Sequence, residues 1–232
     1  MKKRRVIDLA QEISPEMNIW AGYPKPTLLT WIPRHTYGFV AEVWLAPLHL
    51  GTHLDCGIHF CENGMTAEQY PIEKFVANGV LLDFTHKKPR ESITAEDIKE
   101  AERKLGIGIK EGDAVLIYTG WMDKHLKPET PLDTSYVGLS RDAGEYLLSK
   151  KIAVVGIDST NVDDAESEDK ASPENPPPCH KLLLCSEINL IENLVNLRQI
   201  RKKYGFTFIY QPLKVKGASG TPIRPIAIEE EE

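Results

Sequence analysis

Three of the seven histidines in this chain fall within eleven residues, His49-Leu-Gly-Thr-His53-Leu-Asp55-Cys-Gly-Ile-His59, and an aspartate sits among them. All four polar positions are odd-numbered. In an extended chain alternate side chains point the same way, so His49, Gly51, His53, Asp55, Gly57 and His59 share one face. A helix would scatter them. Imidazoles with a carboxylate form the donor set for zinc, manganese or iron, and three protein ligands leave positions open for water and substrate. An open position points to catalysis rather than to a structural site. Gly51 and Gly57 on that face would let an ion or substrate approach the backbone. The plainer alternative is a polar strand face with ordinary hydrogen bonds. A Cys/His zinc site using Cys56 and Cys61 is not expected, because Cys56 is even-numbered and points away.

The elements that must position these residues read as an α/β class. Strands are expected at Val6 to Leu9, Val40 to Leu45, Val80 to Phe84, Ala114 to Tyr118 and Ile152 to Ile157, each an apolar run followed by a polar turn. A helix is expected from a Thr94 cap, with Asp97 three residues on, to Gly106. A second runs from Ser140 to Lys151, directly before the Ile152 strand. The acidic, Ser- and Pro-containing stretch from Asn161 to Pro178 reads as a loop that cannot be a core element, and because it leads into Cys179-His180 it is a candidate wall or lid.

Composition limits the partners. The net charge is −6, from 34 acids and 28 bases, and four of the acids form the terminal run Glu229 to Glu232. The dense basic cluster Lys2 to Arg5 is an isolated tip, so no broad positive surface for nucleic acid is expected. Basic tip and acidic tail both read as solvated ends, the tail as disordered. No apolar stretch follows the basic start, so no export signal is expected, and no segment approaches the ~18 apolar residues of a membrane span. The four cysteines, Cys56, Cys61, Cys179 and Cys185, include no Cys-x-x-Cys pair and read as free thiols in a reducing cytoplasm. One domain over residues 1–232 is the expectation.

The histidine run resembles the signature of the cyclase family of metal-dependent hydrolases, which includes kynurenine formamidase and isatin hydrolase. The resemblance extends through Val6-Ile-Asp-Leu, Gly112-Asp-Ala-Val-Leu-Ile-Tyr-Thr-Gly-Trp121, Gly156-Ile-Asp158, His180-Lys-Leu-Leu-Leu, Glu192-Asn-Leu and Pro212-Leu-Lys-Val-Lys-Gly217. It implies a swivelling β/β/α domain, a mixed sheet with flanking helices, and a homodimer or homotetramer. It further implies that His49, His53 and Asp55 bind a first metal and that His59 is the acid or base beside it. His180 and Glu192 would complete a second metal position in members with two ions, with Asp55 bridging. The family commonly carries a proline two residues before the last histidine, where this chain has Gly57.

The implied activity is hydrolysis of an amide or formamide bond in a small, aromatic molecule, with Zn2+ (one or two per chain) or Mn2+ as cofactor. An arylformamidase resembling kynurenine formamidase of tryptophan catabolism comes first, and a cyclic-amide hydrolase of the isatin type second. A non-catalytic metal-binding protein is the third, and it leaves His59 without a role. No Gly-x-Ser-x-Gly elbow is present, so a serine hydrolase is not indicated. Trp20, Tyr23, Trp44 and Trp121 are candidates for an aromatic wall, although aromatic residues more often fill cores.

Overall fold

A computed structural model describes residues 3–20, 22–127, 130 and 132–230. Eleven strands occur among them: β1 (Arg4–Asp8), β2 (Thr27–Ile32), β3 (Ala41–Leu45), β4 (His53–Asp55), β5 (Val76–Asp83), β6 (Ala114–Tyr118), β7 (Val154–Ile157), β8 (Asn189–Glu192), β9 (Tyr204–Ile209), β10 (Gly220–Pro222) and β11 (Ile226–Glu230). The helices are α1 (Arg34–Tyr37), α2 (Ala95–Leu105), α3 (Met122–His125), α4 (Arg141–Ser149), α5 (Ala165–Asp169) and α6 (Pro178–Leu184). Each strand expected from the sequence is present within a few residues. Helix α2 has the expected Thr94 cap, whose side chain accepts from the Asp97 N–H, and ends at Gly106.

Nine strands form one mixed sheet in the order β1-β11-β9-β5-β6-β7-β8-β4-β10. The centre, β5 to β8, is parallel, and the remaining pairs are antiparallel. Strands β10 and β11 lie seven positions apart in that order. Flat, they would be ~34 Å apart. The four Cα steps from Pro222 to Ile226 span at most ~15 Å, so the sheet has to curl.

Alternation along the central strands divides the apolar side chains between two cores. Leu81, Leu116, Val154 and Ile191 pack with Phe206 and Phe208 on one face. Val80, Leu82, Val115, Ile117 and Val155 pack on the other, against Ile98 of α2, Leu147 of α4 and Leu183 of α6. Strands β2 and β3 form a separate two-stranded sheet, with α1 in the connection between them.

Three expectations need correction. The ends are not free: Arg4 to Asp8 pair with Ile226 to Glu230, and Glu229 is buried, bonded to the Arg5 guanidinium at 2.9 Å and to the backbone of Arg201 and Lys202. The last two glutamates lie outside the described residues, as do Met1 and Lys2. The 161–178 stretch is not simply a loop, because Asn161 to Ala165 are buried and α5 starts at Ala165 under an Asp164 cap. Two of its acids, Asp163 and Asp164, are buried and accept hydrogen bonds from backbone N–H groups rather than being solvated. Finally, Cys61 and Cys185 form a disulfide, while Cys56 and Cys179 are free and buried. A pairing across 124 residues leaves no spacing signal in the sequence.

Candidate metal centre

The His49–His59 run is extended only over β4, where His53 and Asp55 do project alike. Gly51, at φ +55°, turns the chain before it, and Gly57–His59 form a turn of 3₁₀ helix after it. His49 and His59 therefore arrive at the site through bends, and not along one strand face as expected. Gly57 does not face the site either, since a Cβ there would meet the backbone of Gly64 and Leu184.

Strand pairing supplies the next residue. His53 lies directly opposite Glu192 in the antiparallel β4–β8 register, and Glu192 is buried in β8. His180 comes from α6. Its Nε2 lies 3.6 Å from Asp55 Oδ2 and 3.3 Å from Glu192 Oε1. His53 Nε2 lies 3.4 Å from Asp55 Oδ1 and 3.6 Å from Glu192 Oε2. These separations exceed the usual hydrogen-bond distance. They match instead the ~3.4 Å edge of a tetrahedron of ligands placed ~2.1 Å from a central ion. Each carboxylate thus offers one oxygen to His53 and the other to His180, so Glu192 as well as Asp55 spans both candidate positions.

The remaining imidazole nitrogens are anchored. His53 Nδ1–H donates to the Gly51 carbonyl at 2.8 Å. His180 Nδ1 holds Asp163 Oδ2 at 2.7 Å. Such partners fix the ring and leave Nε2 available to an ion. His49 differs, with Nδ1 at hydrogen-bond distance (2.6 Å) from Asp55 Oδ1 and Nε2 2.9 Å from Ser219 Oγ. Its ring packs so tightly on Gly220 that a Cβ there would lie 2.6 Å from Cε1. Asp163 and Ser219 carried no signal in the sequence, one lying in the supposed loop and the other in a turn. Donor type, spacing and anchoring together fit a divalent cation.

The electrostatics agree. Burial alone would push His53 down, but the Asp55 and Glu192 carboxylates raise it to about 9. For His180 burial is likewise outweighed, here by Asp163, Asp55 and Glu192, and its pKa lies well above the ordinary value. Asp55 is held well below the carboxylate range because its histidine neighbours outweigh burial. His59 goes the other way: burial, with the imidazoles of His49, His180 and His53 adding to it against Asp55, pushes it down to about 4. It is a neutral base at neutral pH, stacked on His49 with ring centroids 4.1 Å apart.

These residues line a cavity of about 300 Å³. Trp20, Tyr23 and Phe60 supply aromatic surface, and Asn161, Glu168 and Pro177 place the 161–178 segment in its wall. Trp121 is not part of it, being buried and stacked on His125 at 3.8 Å, and Trp44 lies on the β2–β3 hairpin beside a different groove.

Comparison with known proteins accords with this geometry. Residues 7–164 match the family model Cyclase, described as "Putative cyclase". Kynurenine formamidase of Salinibacter ruber is 27% identical over 228 residues, covering 95% of this chain and 96% of that protein. Isatin hydrolase of Roseibium aggregatum is 30% identical over 194 residues, covering 78% and 71%. The crystal structure of an isatin hydrolase bound to the product analogue thioisatinate superposes with a TM-score of 0.89 at 25% identity, covering 98% of this chain and 93% of that one. The chain belongs to the cyclase family of hydrolases.

Proposed function

We propose that the protein is a metal-dependent hydrolase that opens an amide or formamide bond in a small aromatic molecule. The observation that carries this reading is the convergence of His53, Asp55, His180 and Glu192 at ligand-edge distances on the wall of a cavity that the imidazole of His59 also lines. His53, Asp55 and Glu192, with His49 adjoining, would hold one ion, and His180 with the second carboxylate oxygens another. Zn2+ suits the donor set, with Mn2+ as the alternative. A divalent cation there supplies Lewis acidity, which acidifies water and polarises a carbonyl.

The chain's own residues account for the rest. A ring nitrogen of His59 takes a proton from the attacking water and returns it to the leaving nitrogen as the C–N bond breaks. Trp20, Tyr23 and Phe60 offer faces for a flat ring. His180, braced by Asp163 and 3.3 to 3.6 Å from two carboxylates, favours a two-ion site, and the likeness to a kynurenine formamidase over 95% of the chain supports the arylformamide as first substrate. The structural likeness to isatin hydrolase supports the cyclic-amide reading as second. Metal-loaded protein assayed against an aryl formamide and a cyclic aryl amide separates them. Turnover of the formamide is expected, and hydrolysis of neither compound would overturn the proposal.

A further inference from the structure

The Cys61–Cys185 disulfide is not used by the reaction above, yet it joins the two segments that bring His59 and His180 together. Cys61 follows the His59 turn by two residues, with its N–H on the Gly57 carbonyl. Cys185 caps α6, five residues after His180, and its N–H bonds the Lys181 carbonyl. Besides the covalent link, Lys181 Nζ donates to the Phe60 carbonyl at 2.9 Å and the Phe60 ring rests on His180 with centroids 4.9 Å apart. A Cβ on Gly57 would lie 3.3 Å from the Leu184 carbonyl oxygen, so turn and helix approach closely. His59 and His180 stand across this joint, ring centroids 6.3 Å apart.

We infer that the disulfide is a redox-sensitive strut: Cys61 and Cys185 are positioning residues that fix the His59 turn against α6, and turnover depends on the bond being closed. This rests on the reading of His59 as the group that moves the proton. Cys185 is exposed, so the bond is open to a dithiol. In that exchange the dithiol gives two electrons and two protons, becomes a disulfide itself and leaves Cys61 and Cys185 as thiols. Cys56 and Cys179 are buried and free, and take no part. With the strut open, the joint keeps the lysine contact and its noncovalent packing without the covalent link, and a displacement of the order of 1 Å between a base and its substrate can cost ~10²-fold in rate.

The test compares oxidised protein, protein reduced by a small dithiol and the Cys61→Ser/Cys185→Ser double variant, which excludes metal chelation by the dithiol as the cause. Two experiments are run: kinetics, giving kcat and KM on the aryl formamide at equal metal content, and amide hydrogen exchange by segment. The expected result is a kcat lower by roughly 10- to 100-fold with KM within a few-fold. Exchange should rise at residues 57–61 and 178–185 while β5 and β6 stay protected. Unchanged exchange at those two segments, or a rise spread evenly over the molecule, would overturn the strut whether or not a substrate is found. Unchanged kcat would reduce it to a stability element. Failure of the oxidised protein to act on any amide would instead count against the proposed reaction and leave the exchange result to decide the strut.

Discussion

His53 and His180 each commit one ring nitrogen to an oxygen anchor and turn the other toward Asp55 and Glu192. Without a cation, protons must balance the two carboxylates, which has a consequence for stability. His53 has a folded-state pKa of about 9 against an ordinary 6.5. Its contribution to stability is therefore complete below pH ~6.5 and is lost as pH rises toward ~9. Asp55, held low, contributes above its ordinary 3.8 and loses that contribution on acidification. Chelated protein should accordingly lose melting temperature between pH 6.5 and 9, and metal-loaded protein should lose less, because the ion replaces the protons. A scan of melting temperature against pH checks this. A flat profile for the chelated protein would mean that His53 is not charged there. The types of these residues were legible in the sequence, but their anchors were not. Nothing in the sequence distinguishes Asp163 from its acidic neighbours, because its role depends on where α6 comes to rest.

At the scale of elements, α6 shows how the 161–178 stretch before it, read from the sequence as a loop and candidate wall, becomes part of the site. Asp163 accepts from the Cys179 N–H at 2.6 Å and the His180 N–H at 2.9 Å, capping the first turn of α6, while its Oδ2 also holds His180 Nδ1. One carboxylate thus starts the helix and orients its histidine. Asp163→Ala should weaken metal binding by roughly 10- to 100-fold, as loss of an orienting partner does. It should also cost about 0.5–2 kcal/mol for the lost cap. Competition with a chelator measures the first effect and denaturant unfolding the second, and undiminished affinity would show that His180 needs no brace. Helices α2 and α4 were legible because their apolar periods, and the Thr94 cap of α2, are local. The His49–His59 run was legible as a constellation but not as a shape: alternation holds across β4, and the turn at Gly51 and the 3₁₀ turn at Gly57 do the rest.

For the whole molecule, the α/β class could be read from the alternation of helix and strand, whereas the curl of the sheet depends on pairings between residues far apart in the chain. The same distance hides the pairing of Arg5 with Glu229 and the disulfide. Among the described residues no helix is long and apolar enough to cross a membrane. The β2–β3 hairpin nevertheless leaves Leu28, Trp31 and Leu45 more than 60% exposed. A lone two-stranded hairpin is marginal in water, and exposed large apolar side chains on one invite a partner. A second copy of the chain is the expected cover, giving a dimer or tetramer by light scattering. Trp31→Glu should shift the mass toward the monomer. A wild-type protein that is monomeric at micromolar concentration would contradict this.

The central claim is that His53, with Asp55, His180 and Glu192, holds a catalytic cation and that His59 moves the proton beside it. Metal per chain and turnover, measured together in wild type, His53→Ala and His59→Ala, test it most directly. His53→Ala should lose metal and turnover together, because each ligand is one of few holding the ion. His59→Ala should keep its metal and lose roughly 10²- to 10⁴-fold in turnover. Full metal occupancy in His53→Ala, or turnover within a few-fold of wild type in His59→Ala, would contradict the account.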